Sequence, residues 1–151
     1  MTQRESTNEA AIELAAAAFR GDLHQVRALL AAGADINLPG SAWTPLHAAI
    51  ESGHMPTLEF LLASGADPNL PIQGSPPLHH AIDVDMDCLL QHLQRAPLPE
   101  EIPEPTIVAR LLAAGADPAR RDSRGQSALE FAEQYGHTRA VTLLRAHTQV
   151  T

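Results

Sequence analysis

The chain has 151 residues and a mass of 16.1 kDa, enough for one ordinary domain and too little for two. Apolar residues make up 44% of it, which excludes a disordered chain, and a formal charge of -8 disfavours a phosphate backbone, so no nucleic-acid partner is expected. Its 26 Ala and 20 Leu stand against three Phe, one Trp and one Tyr, a composition that calls for a thin, helical core.

The single cysteine, Cys88, rules out an intramolecular disulfide and fits a reducing cytosol. Met1 to Ala10 is polar and does not resemble a secretory signal, and no run of about 18 apolar residues could cross a bilayer. A cytoplasmic location without membrane partner is the expectation, and the all-arginine basic set suits a GC-rich bacterial genome.

From the N-terminus onward, one phrase recurs: two leucines, two small residues, then Gly-Ala-Asp. It occupies Leu29 to Asp35, Leu61 to Asp67 and Leu111 to Asp117, so that Gly33, Gly65 and Gly115 lie 32 and then 50 residues apart. The second interval is the first plus about 18 inserted residues. A second phrase runs with it as Thr44-Pro45-Leu46-His47-Ala48-Ala49, Pro76-Pro77-Leu78-His79-His80-Ala81 and Ser127-Ala128-Leu129-Glu130-Phe131-Ala132.

Each period reads as a helix pair. Thr44 can cap a first helix through its hydroxyl, Pro45 fits the first turn, and Gly53 ends that helix. Leu58, Leu61 and Leu62 have the spacing of an amphipathic second helix, closed by Gly65, and a turn through Asp67-Pro68-Asn69 leads onward. Ala48, Ala49, Ala81 and Ala132 allow neighbouring pairs to approach closely, so the apolar faces are buried by stacking.

These phrases resemble the ankyrin repeat family, whose signature is TPLH-x-A at the first helix and LL-x-x-GA-D/N before the connecting loop. The resemblance implies an all-α solenoid in one domain, residues 1–151, with units at about 8–38, 39–70, 71–121 and 122–148. Ile12-Glu13-Leu14-Ala15 and Ser127-Ala128-Leu129-Glu130 depart from TPLH in the first and last units, as end caps do.

The third unit departs differently. The Gly-His joining the helices at Gly53-His54 and Gly136-His137 is replaced by a segment from about 85 to 102, inserted between the two helices. Leu89, Leu90 and Leu93 have helical spacing, whereas Pro97, Pro99, Pro103 and Pro105 favour extended chain, with Pro105 opening a helix over 106–114. From Asp83 to Glu104 six carboxylates face one cation, Arg95. Because the segment replaces a two-residue connection, its excision is expected to cost about 1 kcal/mol or less unless its leucines are buried.

Asp83, Asp85 and Asp87 have the alternation of a calcium loop, but Cys88 and Gln94 stand where that loop needs Gly and Glu. His79, His80, Asp83, Cys88 and His92 contain zinc-type ligands without paired spacing. There is no nucleophile elbow and no glycine-rich phosphate loop, so neither an enzyme, a metal nor any other cofactor is expected. The competing readings are a metal-dependent or hydrolytic activity centred on the third unit and a secreted, host-directed effector.

The resemblance further implies a protein partner lying against the concave face, built from loop tips and the exposed side of the first helices. The matching positions include Gly40, Ser41, Trp43, Glu51 and Ser52, then Ile72, Gln73, Ser75, Asp83 and Val84, then Ser123, Arg124, Gln126, Gln134 and Tyr135. Trp43, Tyr135 and Arg124 are the anchor types that dominate interfaces. The expected molecule is monomeric when free and non-catalytic. Its acidity suits an inhibitor or an immunity protein of a toxin or enzyme that occludes a basic site.

Overall fold

The structure, a computed structural model, describes residues 3–93 and 104–148, with the backbone alone at 3–7 and 87–93. Among the described residues eight helices follow one another: α1 (Gln3–Arg20), α2 (Leu23–Ala31), α3 (Pro45–Ser52), α4 (Met55–Ala63), α5 (Pro77–Leu93), α6 (Thr106–Ala113), α7 (Ala128–Tyr135) and α8 (Thr138–Thr148). Among the described residues there is no strand; two isolated bridges, Ile72 with Ser75 and Arg121 with Ser127, close loop tips. No helix among them is long and apolar enough to cross a membrane.

Local chemistry sets where the first helices start and stop. The Thr44 hydroxyl oxygen accepts the His47 N–H at 3.3 Å and Pro45 fills the first turn of α3. At α7, Ser127 Oγ accepts the Glu130 N–H while Glu130 Oε2 accepts the Ser127 N–H at 2.7 Å, a reciprocal capping box. Gly21, Gly53 and Gly136 then end α1, α3 and α7 with φ of 70°, 68° and 74°, a left-handed turn at little cost only for glycine.

In the third unit the same position holds Asp85. Without a glycine to turn the backbone, α5 runs through it as one helix of 17 residues. The expected boundary of the insertion therefore shifts: Met86 is 2% exposed and Asp85 Oδ2 lies 3.6 Å from Nε2 of the buried His137. Excision of 85–102 would remove a core side chain, which the low cost expected for it does not include. The side chains of Leu89, Leu90 and Leu93 and all of 94–103 lie outside the described residues. Pro105 precedes α6 as its N-cap instead of opening it, and α6 ends at Ala113. At the other end α1 begins at Gln3, ahead of the unit start expected near 8.

The helices form two layers. α1, α3, α5 and α7 pack in succession, α2, α4, α6 and α8 do the same beside them, and each pair is joined across the layers. Ala48, Ala49, Ala81 and Ala132 are buried where first helices meet, and one apolar cluster runs from Leu14 through Ile50, Leu61, Ile82 and Leu111 to Leu144.

Asparagines tie the connecting loops. Asn37 Oδ1 accepts the Asp67 N–H at 2.8 Å and its Nδ2 donates to the Gly65 carbonyl at 3.5 Å. Asn69 does the same one step on, with the Asp117 N–H at 2.7 Å and the Gly115 carbonyl at 3.0 Å. These bonds span 30 and 48 residues of chain yet join equivalent atoms, so the inserted residues leave the pitch of the loop side unchanged.

Truncating Leu111 or Met86 to Ala should each cost roughly 2–5 kcal/mol in urea unfolding, since both are buried in a close-packed core. An unchanged midpoint for Met86→Ala would put Met86 outside the core.

Candidate functional site

Three loop tips project beyond the first helices. In the first, the Gly40 N–H donates to the Trp43 carbonyl at 2.8 Å. In the second, Ile72 and Ser75 exchange backbone bonds at 3.0 and 2.9 Å around Gln73 and Gly74, whose φ values of 50° and 81° suit a tight two-residue hairpin turn. In the third, Asp122 Oδ1 accepts the N–H groups of Arg124 and Gln126 at 2.9 Å each. Against the effect of desolvation, these two donors hold the Asp122 carboxyl below its ordinary range. The Gly74 carbonyl accepts the Ser123 N–H at 2.9 Å, and a Cβ on Gly74 would stand 2.6 Å from that of Ser123. Only glycine permits this approach.

Between the tips and the faces of α3, α5 and α7 lies a cleft of about 290 Å³. Eight of the residues expected from the sequence line it: Trp43, Ile72, Gln73, Ser75, Asp83, Ser123, Arg124 and Tyr135. Seven do not, Gly40 and Val84 among them. Ser41 is exposed in a neighbouring depression, and Glu51 reaches the rim through His80, whose Nε2 is 3.1 Å from Glu51 Oε2. Ser52 spends its hydroxyl on the Ala48 carbonyl at 3.0 Å, and the Gln126 side-chain amide donates to Gln134 Oε1.

Trp43 and Tyr135 are half-buried, where a surface placement was expected. Trp43 stacks on Phe19 with ring centres 6.0 Å apart and is tilted against His80 at 6.1 Å, while Tyr135 stacks on Phe131 at 4.5 Å. One face of each ring therefore serves the scaffold. Sequence reasoning passed over Phe19 and Ile12, which are 46% and 42% exposed. Their spacing with Ala16, i, i+4 and i+7 on α1, marks an apolar stripe next to Trp43.

Two histidines of the repeated phrase bind within the stack. His47 Nδ1 pairs with the Thr44 hydroxyl at 2.8 Å, and the Ser75 carbonyl of the next unit lies beside the same ring. His79 Nε2 pairs with the Gln126 carbonyl in the next unit at 2.9 Å, leaving Nδ1 unpaired, because Pro76 stands where Thr44 supplies a hydroxyl. Burial, with the neighbouring His80 adding to it and the Ser75 carbonyl opposing, lowers the His47 pKa from 6.5 to about 4. Burial likewise lowers His79 and His80, against the Gln126 carbonyl at the first and the Glu51 and Asp83 carboxylates at the second.

The metal candidates separate. His79 faces the Gln126 carbonyl and His80 faces Glu51, while the side chains of Cys88 and His92 lie outside the described residues. Asp83 lines the cleft whereas Asp85 faces His137, as alternate residues of a helix must diverge. The Asp87 side chain lies outside the described residues, as does Gln94. Among the described residues no three His, Cys, Asp or Glu side chains are grouped to hold a metal ion.

A family model for ankyrin repeats, in three copies, matches residues 14–93, and α6 to α8 continue the same two-layer packing beyond the matched stretch. No curated protein matches the chain. Ankyrin repeats generally mediate protein–protein interaction, and proteins built of them are typically non-catalytic.

Neutral buried imidazoles make stability depend on pH. A histidine whose folded pKa lies below its unfolded value stabilises fully above about pH 6.5 and loses that contribution as pH falls toward the folded value. His47 alone should cost the fold about 2 kcal/mol between pH 7.5 and 5, visible as a falling urea midpoint. A flat midpoint over that window would contradict the burial of these rings. Pro76→Thr should stabilise by about 1 kcal/mol, by supplying both an N-cap oxygen and a partner for His79 Nδ1. A lower urea midpoint for that variant would contradict the assigned cap.

Proposed function

The chain belongs to the ankyrin repeat family, and on that premise we propose that it is a non-catalytic scaffold whose concave face binds a protein partner and occludes it, as an inhibitor or immunity protein does. The observation that carries this reading is the meeting of Trp43, Gln73, Ser75, Asp83, Arg124 and Tyr135, drawn from three units, around one cleft. Residues so far apart in sequence converge only because the units stack.

Two further features support it. The cleft has large aromatic walls next to polar and charged groups, the mixture that anchors interfaces. The formal charge of -8 suits a partner whose working surface is basic, since opposite potentials speed association and select the partner. The protein acts as a monomer in the cytoplasm under this reading, consistent with its lone thiol.

Co-purification identifies the partner and calorimetry measures its affinity. Trp43→Ala and Tyr135→Ala should each weaken binding by at least about 1 kcal/mol, roughly fivefold, with the helical dichroism spectrum intact. Affinity unchanged by both substitutions would move the interface off the concave face.

A further inference from the structure

The second loop tip holds one residue in a backbone conformation that its side chain does not favour, and the groups around it specify what the cleft takes. Resting on the concave-face reading above, we propose that the cleft receives an extended, proline-rich segment of the partner, with the Gln73 carboxamide donating to one of its backbone carbonyls and the Trp43 and Tyr135 rings packing on its prolines.

Gln73 comes first. It follows Ile72 in the hairpin turn closed by Ser75 and has φ of 50°, the one non-glycine residue at positive φ among the described residues. That place favours Gly, Asn or Asp, because a longer side chain crowds the backbone there without the local hydrogen bond that a short polar one makes. The next unit holds the turn in place, through the Ser123 N–H donating to the Gly74 carbonyl at 2.9 Å. Strain maintained by its surroundings is characteristic of a working position. The Gln73 side chain is exposed and, among the described residues, makes no hydrogen bond, whereas the carboxamides of Gln25, Gln126 and Gln134 are all paired.

The other groups that the cleft leaves to a ligand are mostly donors. Among the described residues the side chains of Trp43, Ser75, Ser123, Arg124 and Tyr135 also make no hydrogen bond within the chain. An indole and a guanidinium can only donate, and hydroxyls and a carboxamide can donate as well. The lining carboxylates are engaged: Asp122 Oδ1 accepts the N–H groups of Arg124 and Gln126, and Asp83 has an interaction of its own. An ordinary extended segment would bring one N–H per residue against this wall, and each left unpaired is costly. A proline brings none. Chain in the polyproline conformation makes no internal hydrogen bonds, so its carbonyls are free to meet the donors.

Shape and the aromatic walls agree with this chemistry. The cleft runs from Trp43, just ahead of α3, to Tyr135 on α7, across two helix spacings of about 8–10 Å each. About 290 Å³ spread over that length is too narrow for a helix, which is about 10–12 Å wide with its side chains. Six residues of polyproline helix, at about 3.1 Å each, cover the distance. Phe19 and Phe131 take one face of the Trp43 and Tyr135 rings, and both rings still line the cleft, where a stiff, preformed segment packs on aromatic surface with little loss of chain entropy.

The protein carries its own reporter, since its only Trp is Trp43 in the cleft wall. Acetyl-hexaproline amide should give a saturable change in tryptophan emission and bind at least about fivefold tighter than an acetylated Gly-Ser hexapeptide amide, which is flexible and carries an N–H at every residue. Gln73→Gly fits the turn but lacks the carboxamide, so it should leave the urea midpoint unchanged or raised while weakening hexaproline at least about threefold. A merely structural Gln73 would not separate the two readouts in that direction. Gln73→Asn, which keeps a shorter carboxamide in a turn that suits it, should bind with an affinity between those of the other two, an arm that stands if Gln73→Gly loosens the tip. No saturable change, equal affinity for the two peptides, or an affinity unmoved by Gln73→Gly would overturn the proposal. If the partner loses affinity with Trp43→Ala or Tyr135→Ala while hexaproline does not bind, the proline assignment fails and the concave face stands. If neither Trp43→Ala nor Tyr135→Ala matters to the partner, the concave-face reading itself fails.

Discussion

No helix pair in this protein can bury its own apolar face, and everything else follows from that constraint. A first helix such as α3 is only eight residues long, too short to hold in water by backbone bonds alone, and it is stable because α1 and α5 cover its two sides. Close coverage requires small side chains at the contacts, which is why Ala48, Ala49, Ala81 and Ala132 are buried there, with bulkier Leu46, Ile50 and Leu78 buried in the same apolar cluster. The loop tips and the cleft inherit their positions from this stacking.

The same packing explains why the repeated histidines are neutral. His47 and His79 lie at the junctions between units, where a charge would be stripped of water, and their hydrogen-bond partners are a neutral hydroxyl and backbone carbonyls. Their side chains therefore join neighbouring units by hydrogen bonds and ring contacts, as between His79 and Phe131 at 5.4 Å, without adding positive charge beside the cleft. Acidic character on the concave side is thus a product of burial as well as of composition.

Much of the fold is legible in the sequence because its determinants are local and repeated. Thr44, Pro45 and Gly53 state the start and end of α3 within ten residues, and Leu61 and Leu111 announce the core by their place in a recurring phrase. Less legible were features that need a partner from another unit. Asn37 and Asn69 look like ordinary turn residues until the Asp67 and Asp117 amides are brought to them. Asp85 reads as part of an acidic loop, yet its meaning lies in the absence of the glycine that stands at Gly21, Gly53 and Gly136. For the cleft, position along the repeat selected Trp43, Asp83 and Tyr135 but misjudged Ser52 and Gln134, whose side chains are occupied at home. Phe19 escaped because the first unit lacks the phrase that assigns faces to the others.

The elongated α5 alters how the stack holds together as a cooperative system. In the first, second and fourth pairs two residues join the helices, whereas residues 94–105, twelve in all, separate α5 from α6. The other three pairs are closed by a left-handed glycine and a following N–H that bonds back into the first helix, and α5 continues where that closure would stand. The third pair is therefore the least self-sufficient, and it draws a larger share of its stability from α3 and α4 on one side and α7 and α8 on the other. A unit that depends so heavily on both neighbours couples the two ends of the molecule, so the protein unfolds more nearly as a whole than four equal units would.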